Sequence, residues 1–82
     1  LTYGMAMELA PAVRVNAVAP GLVLPPPTYT EKQIRAAATR NLLGRWGSAE
    51  DVANAVLFLV QADFITGTVV EVDGGEHLAW RR

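Results

Sequence analysis

The groups able to bind a ligand or move a proton stand far apart in this sequence. Tyr3 has no lysine, arginine or histidine within a helical turn of it, and a tyrosine without a cation beside it is a poor acid or base at neutral pH. Glu50 and Asp51 are neighbours, so a helix points them in different directions. They suit the positive end of a helix better than a catalytic acid pair. His77 is the only histidine and there is no cysteine; with no clustered carboxylates expected around it, a metal site is not expected. No G-x-G-x-x-G run occurs, so a pyrophosphate-cradling turn is missing. The strongest candidate is a stretch of backbone, Val13-Arg14-Val15-Asn16-Ala17-Val18-Ala19-Pro20-Gly21. Its valines and alanines read as a buried strand, and Pro-Gly stops it. In an open α/β sheet, ligands bind beyond the carboxyl ends of the strands, which sets Pro20, Gly21 and the loop after them beside a ligand.

The elements around that stretch follow from periodicity and punctuation. Leu1, Met5, Ala6 and Leu9 fall at helical spacing up to Pro11. No capping residue precedes them, so Leu1 reads as a cut end, or an unusual start, inside a longer helix. A strand is expected over 13–18, with Asn16 tying adjacent strands through its side chain. From Pro20 to Thr30 a loop containing Pro25-Pro26-Pro27 is expected. Thr30-Glu31-Lys32-Gln33 has the form of a capping box, predicting a helix from Glu31 to about Asn41 with Ile34, Ala37 and Ala38 as its apolar face. Such a helix suits either a lid or a plain surface position. Ser48-Ala49-Glu50-Asp51 opens another helix, whose wide stripe of Val52, Val56, Leu59 and Val60 marks a core helix. Thr68–Val72 reads as the second strand, Asp73-Gly74-Gly75 as a turn, and Glu76–Arg82 as a docked or frayed tail.

The bulk numbers set limits. The chain has 82 residues, 51% of them hydrophobic and 18% charged, with a net charge of −1. A chain of this size buries only roughly 60% of its unfolded surface, so this much apolar material predicts exposed apolar patches and a partner to cover them. The charge offers no footprint for nucleic acid. Gly44-Arg45-Trp46-Gly47 has the G-x-x-G form of an RNA-binding loop, but four residues on a net-acidic chain carry little weight. No apolar run reaches the roughly 20 residues of a membrane span. Two parallel strands joined through helices form a crossover unit whose open edges invite pairing.

Several blocks then line up in one order. Glu8-Leu9-Ala10-Pro11 precedes the Val13–Gly21 stretch, Leu43-Gly44-Arg45-Trp46-Gly47-Ser48-Ala49-Glu50-Asp51-Val52-Ala53 follows, and Ile65-Thr66-Gly67 leads to Val72-Asp73-Gly74-Gly75. Together they resemble the C-terminal third of a classical short-chain dehydrogenase/reductase. The LGRWG and PGLVLPPP wording is also similar to members related to pteridine reductases. The resemblance implies an α/β fold, here the strand-helix-helix-strand portion of a Rossmann-type, doubly wound parallel sheet, so that residues 1–82 form a single incomplete domain. It implies an NAD(P)(H)-dependent oxidoreductase acting on carbonyl or imine groups, in which Pro20, Gly21 and Val23 line the nicotinamide site, Val23 through its main chain. Pro25 stands where many members have a cofactor-contacting threonine, which puts that contact in doubt. The family's Tyr-x-x-x-Lys pair is not met, because position 7 is Met7, and no residue here is assigned a catalytic role. The expectation is a segment inactive alone, or a non-catalytic self-associating module. It is expected to be cytoplasmic and homo-oligomeric through open sheet edges and apolar helix faces, without nucleic-acid or membrane partners.

Overall fold

A computed structural model describes residues 1–81. The chain runs α1 (Thr2–Leu9), β1 (Ala17–Pro20), α2 (Glu31–Ala38), α3 (Ala49–Gln61) and β2 (Val69–Val72), and ends in a 3-10 helix, Glu76–Arg81. The two strands are parallel, with Ala17 opposite Val69 and Pro20 opposite Val72. Both carboxyl ends therefore lie on one edge. Helix α3 packs on both strands.

Two helices start where their capping boxes predict. The Thr30 side chain accepts from the Gln33 amide while Gln33 Oε1 accepts from the Thr30 amide, at 3.1 and 2.8 Å. Ser48 and Asp51 exchange the same pair of bonds at 3.1 and 2.8 Å. Each box satisfies two of the N–H groups that a helix start leaves unpaired. Helix α2 stops at Ala38 rather than near Asn41, because Thr39 turns its amide to Ala36 and Ala37 and its hydroxyl to the Ala36 carbonyl.

The first strand is shorter and later than the expected span 13–18. A parallel ladder exists only where β2 runs beside it, and the preceding residues bond to loops instead. Val15 accepts from Gly67 N–H at 2.8 Å, and its own amide donates to Thr66 Oγ1. Asn16 donates to the Ile65 carbonyl and accepts from the Thr68 amide, both at 3.0 Å, and so ties the two strand starts together. Pro20 closes β1 rather than opening the loop; it lacks only a donor, and the next amide, Gly21 N–H, donates to Val72 O at 3.0 Å.

Arg14 locks α3 to this frame. Its guanidinium donates to the carbonyls of Leu59, Ala62 and Ile65 through Nη1 and to Val60 through Nη2, all at 3.0–3.1 Å. Helix α3 has no basic residue in its last turn, so a cation from β1's approach complements its negative end.

The core is small. Ala6, Ala37, Ala38 and Leu59 are its buried apolar residues. Of the α3 stripe expected to be core, Leu59 is buried but Val56 and Val60 are 45% and 65% exposed, because two strands are too narrow to cover a four-residue stripe. The accessible surface is 6073 Å², against about 4,800 Å² for a compact 8.8 kDa protein. The radius of gyration is 15.4 Å, against about 12 Å for a compact chain of this length. Among the described residues, no helix is long and apolar enough to cross a membrane.

Candidate functional site

Beyond the shared edge of the strands, the loop after Pro20 meets the Asp73-Gly74-Gly75 turn, and the 41–47 connector closes over both. Glycines permit this convergence. An ideal Cβ on Gly21 would stand 2.7 Å from Asp73 Cβ and 2.9 Å from Asp73 Cα, closer than carbons approach. Gly75 has φ +83° and presses on Leu42, whose Cδ1 would lie 2.8 Å from a Cβ there. Glycine alone meets both demands at low cost.

Asn41 fixes the connector. It is 2% exposed, donates to the Arg45 carbonyl at 2.8 Å and accepts from Gly44 N–H at 2.7 Å. The amides of Leu42 and Leu43 both donate to Gly74 O. Gly47 N–H donates to Leu22 O at 2.8 Å, tying the far end of the connector to the loop after β1. Trp46 donates to the Ile34 carbonyl at 2.8 Å and meets Tyr29 edge-on at 6.4 Å, so α2 is held against the connector. The Trp46 ring is thus engaged within the fold.

The result is a cleft of about 500 Å³ at the carboxyl edge of the sheet, walled by Leu22, Arg45, Asp51, Glu71, Asp73 and His77 among others. Arg45 pairs with Asp51 at 3.3 Å. The Asp51 carboxyl is held below the usual aspartate value by the Ser48 amide first, then by the Arg45 guanidinium and the Ser48 hydroxyl. Burial works against the Asp73 carboxylate, but bonds from the His77 ring and from the His77 and Gly75 amides outweigh it and keep its pKa low.

Pro20 ends β1 and Gly21 follows it at this edge, but neither they nor Val23 wall the cleft; of their loop only Leu22 does. Val23 is half-buried, and neither its N–H nor its C=O joins a hydrogen bond among the described residues. Pro25 and Thr28 are exposed, and Thr30 is spent on its cap. Tyr3, on α1, is 63% exposed and Met7, one turn on, is 77% exposed. The expectation that His77 has no carboxylates around it is corrected. The turn and the 3-10 helix fold its ring back onto Asp73, with Glu71 nearby. The i, i+4 spacing of Asp73 and His77 was the available signal; the turn hid it. Asn41 and Asp73 were missed as well: their bonds to Gly44 and Arg45, and to Gly75 and His77, span at most four positions, but those bonds form only because the chain turns sharply at Gly44 and at Gly74-Gly75.

Comparison with known proteins bears on the fold and the family. Residues 1–77 match the family model described as enoyl-(acyl carrier protein) reductase. The chain is 44% identical over 80 residues to the 3-oxoacyl-[acyl-carrier-protein] reductase FabG of Thermotoga maritima, covering 92% of this chain and 32% of that protein. It is 42% identical over 82 residues to the short-chain dehydrogenase/reductase ATR9 of Stachybotrys chlorohalonatus, covering 94% and 32%. The chain thus spans about a third of the length of these relatives. The crystal structure of a small-chain dehydrogenase in complex with NADPH superposes with a TM-score of 0.82 at 37% identity, covering 94% of this chain and 37% of that one. By its sequence blocks, its parallel strand pair and these matches, the chain belongs to the short-chain dehydrogenase/reductase family.

Proposed function

We propose that this chain is the C-terminal third of an NAD(P)(H)-dependent oxidoreductase and forms one wall of its nicotinamide site. The observation that carries this reading is the pairing state of Val23. Val23 is half-buried, its N–H and C=O take no hydrogen bond among the described residues, and its neighbour Leu22 walls the cleft at the carboxyl edge of the parallel sheet. A carboxamide presents one donor group and one acceptor, which match those two backbone groups. Gly21, with no side chain, lets the loop pass close against Asp73, and Pro20 ends the strand so that the loop turns along the edge. When bound, the nicotinamide supplies or accepts the hydride. Pro25 has neither hydroxyl nor N–H, so the loop holds the cofactor by main chain rather than by a side-chain hydroxyl.

The proton chemistry lies outside these residues. Neither of the two tyrosines, Tyr3 and Tyr29, is among the residues that wall the cleft, so the 82 residues alone are expected to be inactive. The substrate class is a carbonyl or imine, and the LGRWG and PGLVLPPP wording makes a reduced pterin one candidate. Purified 82-residue chain, assayed with NADPH against an acyl ketone and a dihydropterin, should show no turnover. Clear turnover by this chain would sink the proposal that the acid/base pair is required from elsewhere.

Surface area favours a second reading, a self-associating segment. The excess over a compact protein is roughly 1,300 Å², more than the about 800 Å² each partner gives to a standard interface. Leu57, Phe58, Val60 and Phe64 are 53%, 58%, 65% and 101% exposed, and both outer sheet edges are open. Light scattering should find a dimer or larger species; a monodisperse monomer would count against this reading.

A further inference from the structure

Glu71 and Asp73 are two residues apart on β2 and its continuation, so the strand's alternation turns both side chains to one face. The 3-10 helix then returns His77 to that face. Its Nδ1 lies 2.8 Å from Asp73 Oδ2, and one donor atom from each of the three residues lies within 4.8 Å of the others. All three wall the same cleft. The Asp73 side chain is 9% exposed and is fixed by the Gly75 and His77 amides, each donating at 3.0 Å. Glu71 is exposed and its carboxylate takes part in no hydrogen bond among the described residues.

We propose that Glu71, Asp73 and His77 form a binding site for one divalent first-row transition-metal ion, of the Zn²⁺ or Co²⁺ kind. Two carboxylates and an imidazole suit such ions, whereas Mg²⁺ and Ca²⁺ prefer all-oxygen shells. Two ligands bound at about 2.0–2.1 Å stand about 2.9–3.4 Å apart on an octahedral or tetrahedral ion, and the Asp73–His77 pair already has nearly that separation. Glu71 closes the remaining gap by side-chain rotation, which its exposure permits. The ion ties the helix Glu76–Arg81 to the end of β2 and so sets one wall of the cleft.

Calorimetric titration of ZnCl₂ into the intact protein tests this. The expected result is one saturable equivalent, with Glu71→Gln and His77→Gln each weakening binding by about tenfold or more. E71Q removes a charge from an exposed side chain with no bond to lose, so it leaves the fold in place. Absence of saturable binding up to about 1 mM Zn²⁺ would overturn the proposal, as would wild-type affinity in both variants.

Discussion

Replacing Gly21 with alanine tests why the chain has glycine at the end of β1. The new methyl group would sit 2.7 Å from Asp73 Cβ and 2.9 Å from Asp73 Cα. Carbon atoms settle at about 3.5–4.0 Å, so one backbone must retreat by about 1 Å. Neither can do so freely. Gly21 N–H is bonded to Val72 O at 3.0 Å, and Asp73 is anchored by the Gly75 and His77 amides. Overpacking of this kind costs about 1–3 kcal/mol. Two other glycines supply the controls. A Cβ on Gly47 meets its nearest atoms at 3.5 Å, an ordinary contact, so G47A should change stability by less than about 0.5 kcal/mol. Gly4 lies inside α1 with nothing within 4 Å of a Cβ, so G4A should stabilise by about 0.5–1 kcal/mol. Urea unfolding of the three variants reads all three signs. A Gly21→Ala variant as stable as wild type would refute the steric argument, and equal losses at Gly21 and Gly47 would refute its tie to Asp73.

Other residues give independent checks. Arg14→Met should destabilise by about 2–3 kcal/mol, since it strands carbonyls at the end of α3 that a charged donor now satisfies; amide exchange should speed up over residues 58–62 first. Thr30→Ala and Ser48→Ala each remove a cap and should cost about 1 kcal/mol by urea unfolding, with T30S and S48T near wild type. The Asp51 carboxyl titrates lower in the folded chain than its ordinary value of 3.8. Its contribution is therefore complete above the unfolded pKa and is lost as the pH falls through the folded one. In D51N the acid limb of the stability–pH curve should be shallower below about pH 4, and an unchanged limb would contradict the Ser48 and Arg45 assignment.

The parts legible from sequence were those set by local chemistry. Both capping boxes, the order of the elements and the Asp73-Gly74-Gly75 turn depend on residues a few positions apart. Asn16 ties adjacent strands through its side chain, as expected, and the structure places that tie at the two strand starts. The misplaced parts depend on partners. Val13 to Asn16 have strand composition, but β2 is too short to pair with them, so a ladder forms only from Ala17. The α3 stripe has core periodicity, yet the sheet is too narrow to bury Val56 and Val60. Arg14 reads as a strand residue on one face with Asn16 and Val18, and only the fold shows it gripping a helix end some 45 residues away. At the cleft, the position of Pro20 and Gly21 at a strand end was readable. The folding of His77 onto Asp73, which depends on two successive glycines at positive φ, was not.

The open backbone of Val23 is the proposed contact for the nicotinamide. Titration of NADPH into ¹⁵N-labelled intact protein, followed at the backbone amides, tests it most directly. Saturable displacement of the Val23 amide signal, with smaller shifts at Gly21 and Leu22 and none at Ala55 on α3, is the predicted result. Saturable NADPH binding that leaves the Val23 amide unmoved would contradict it.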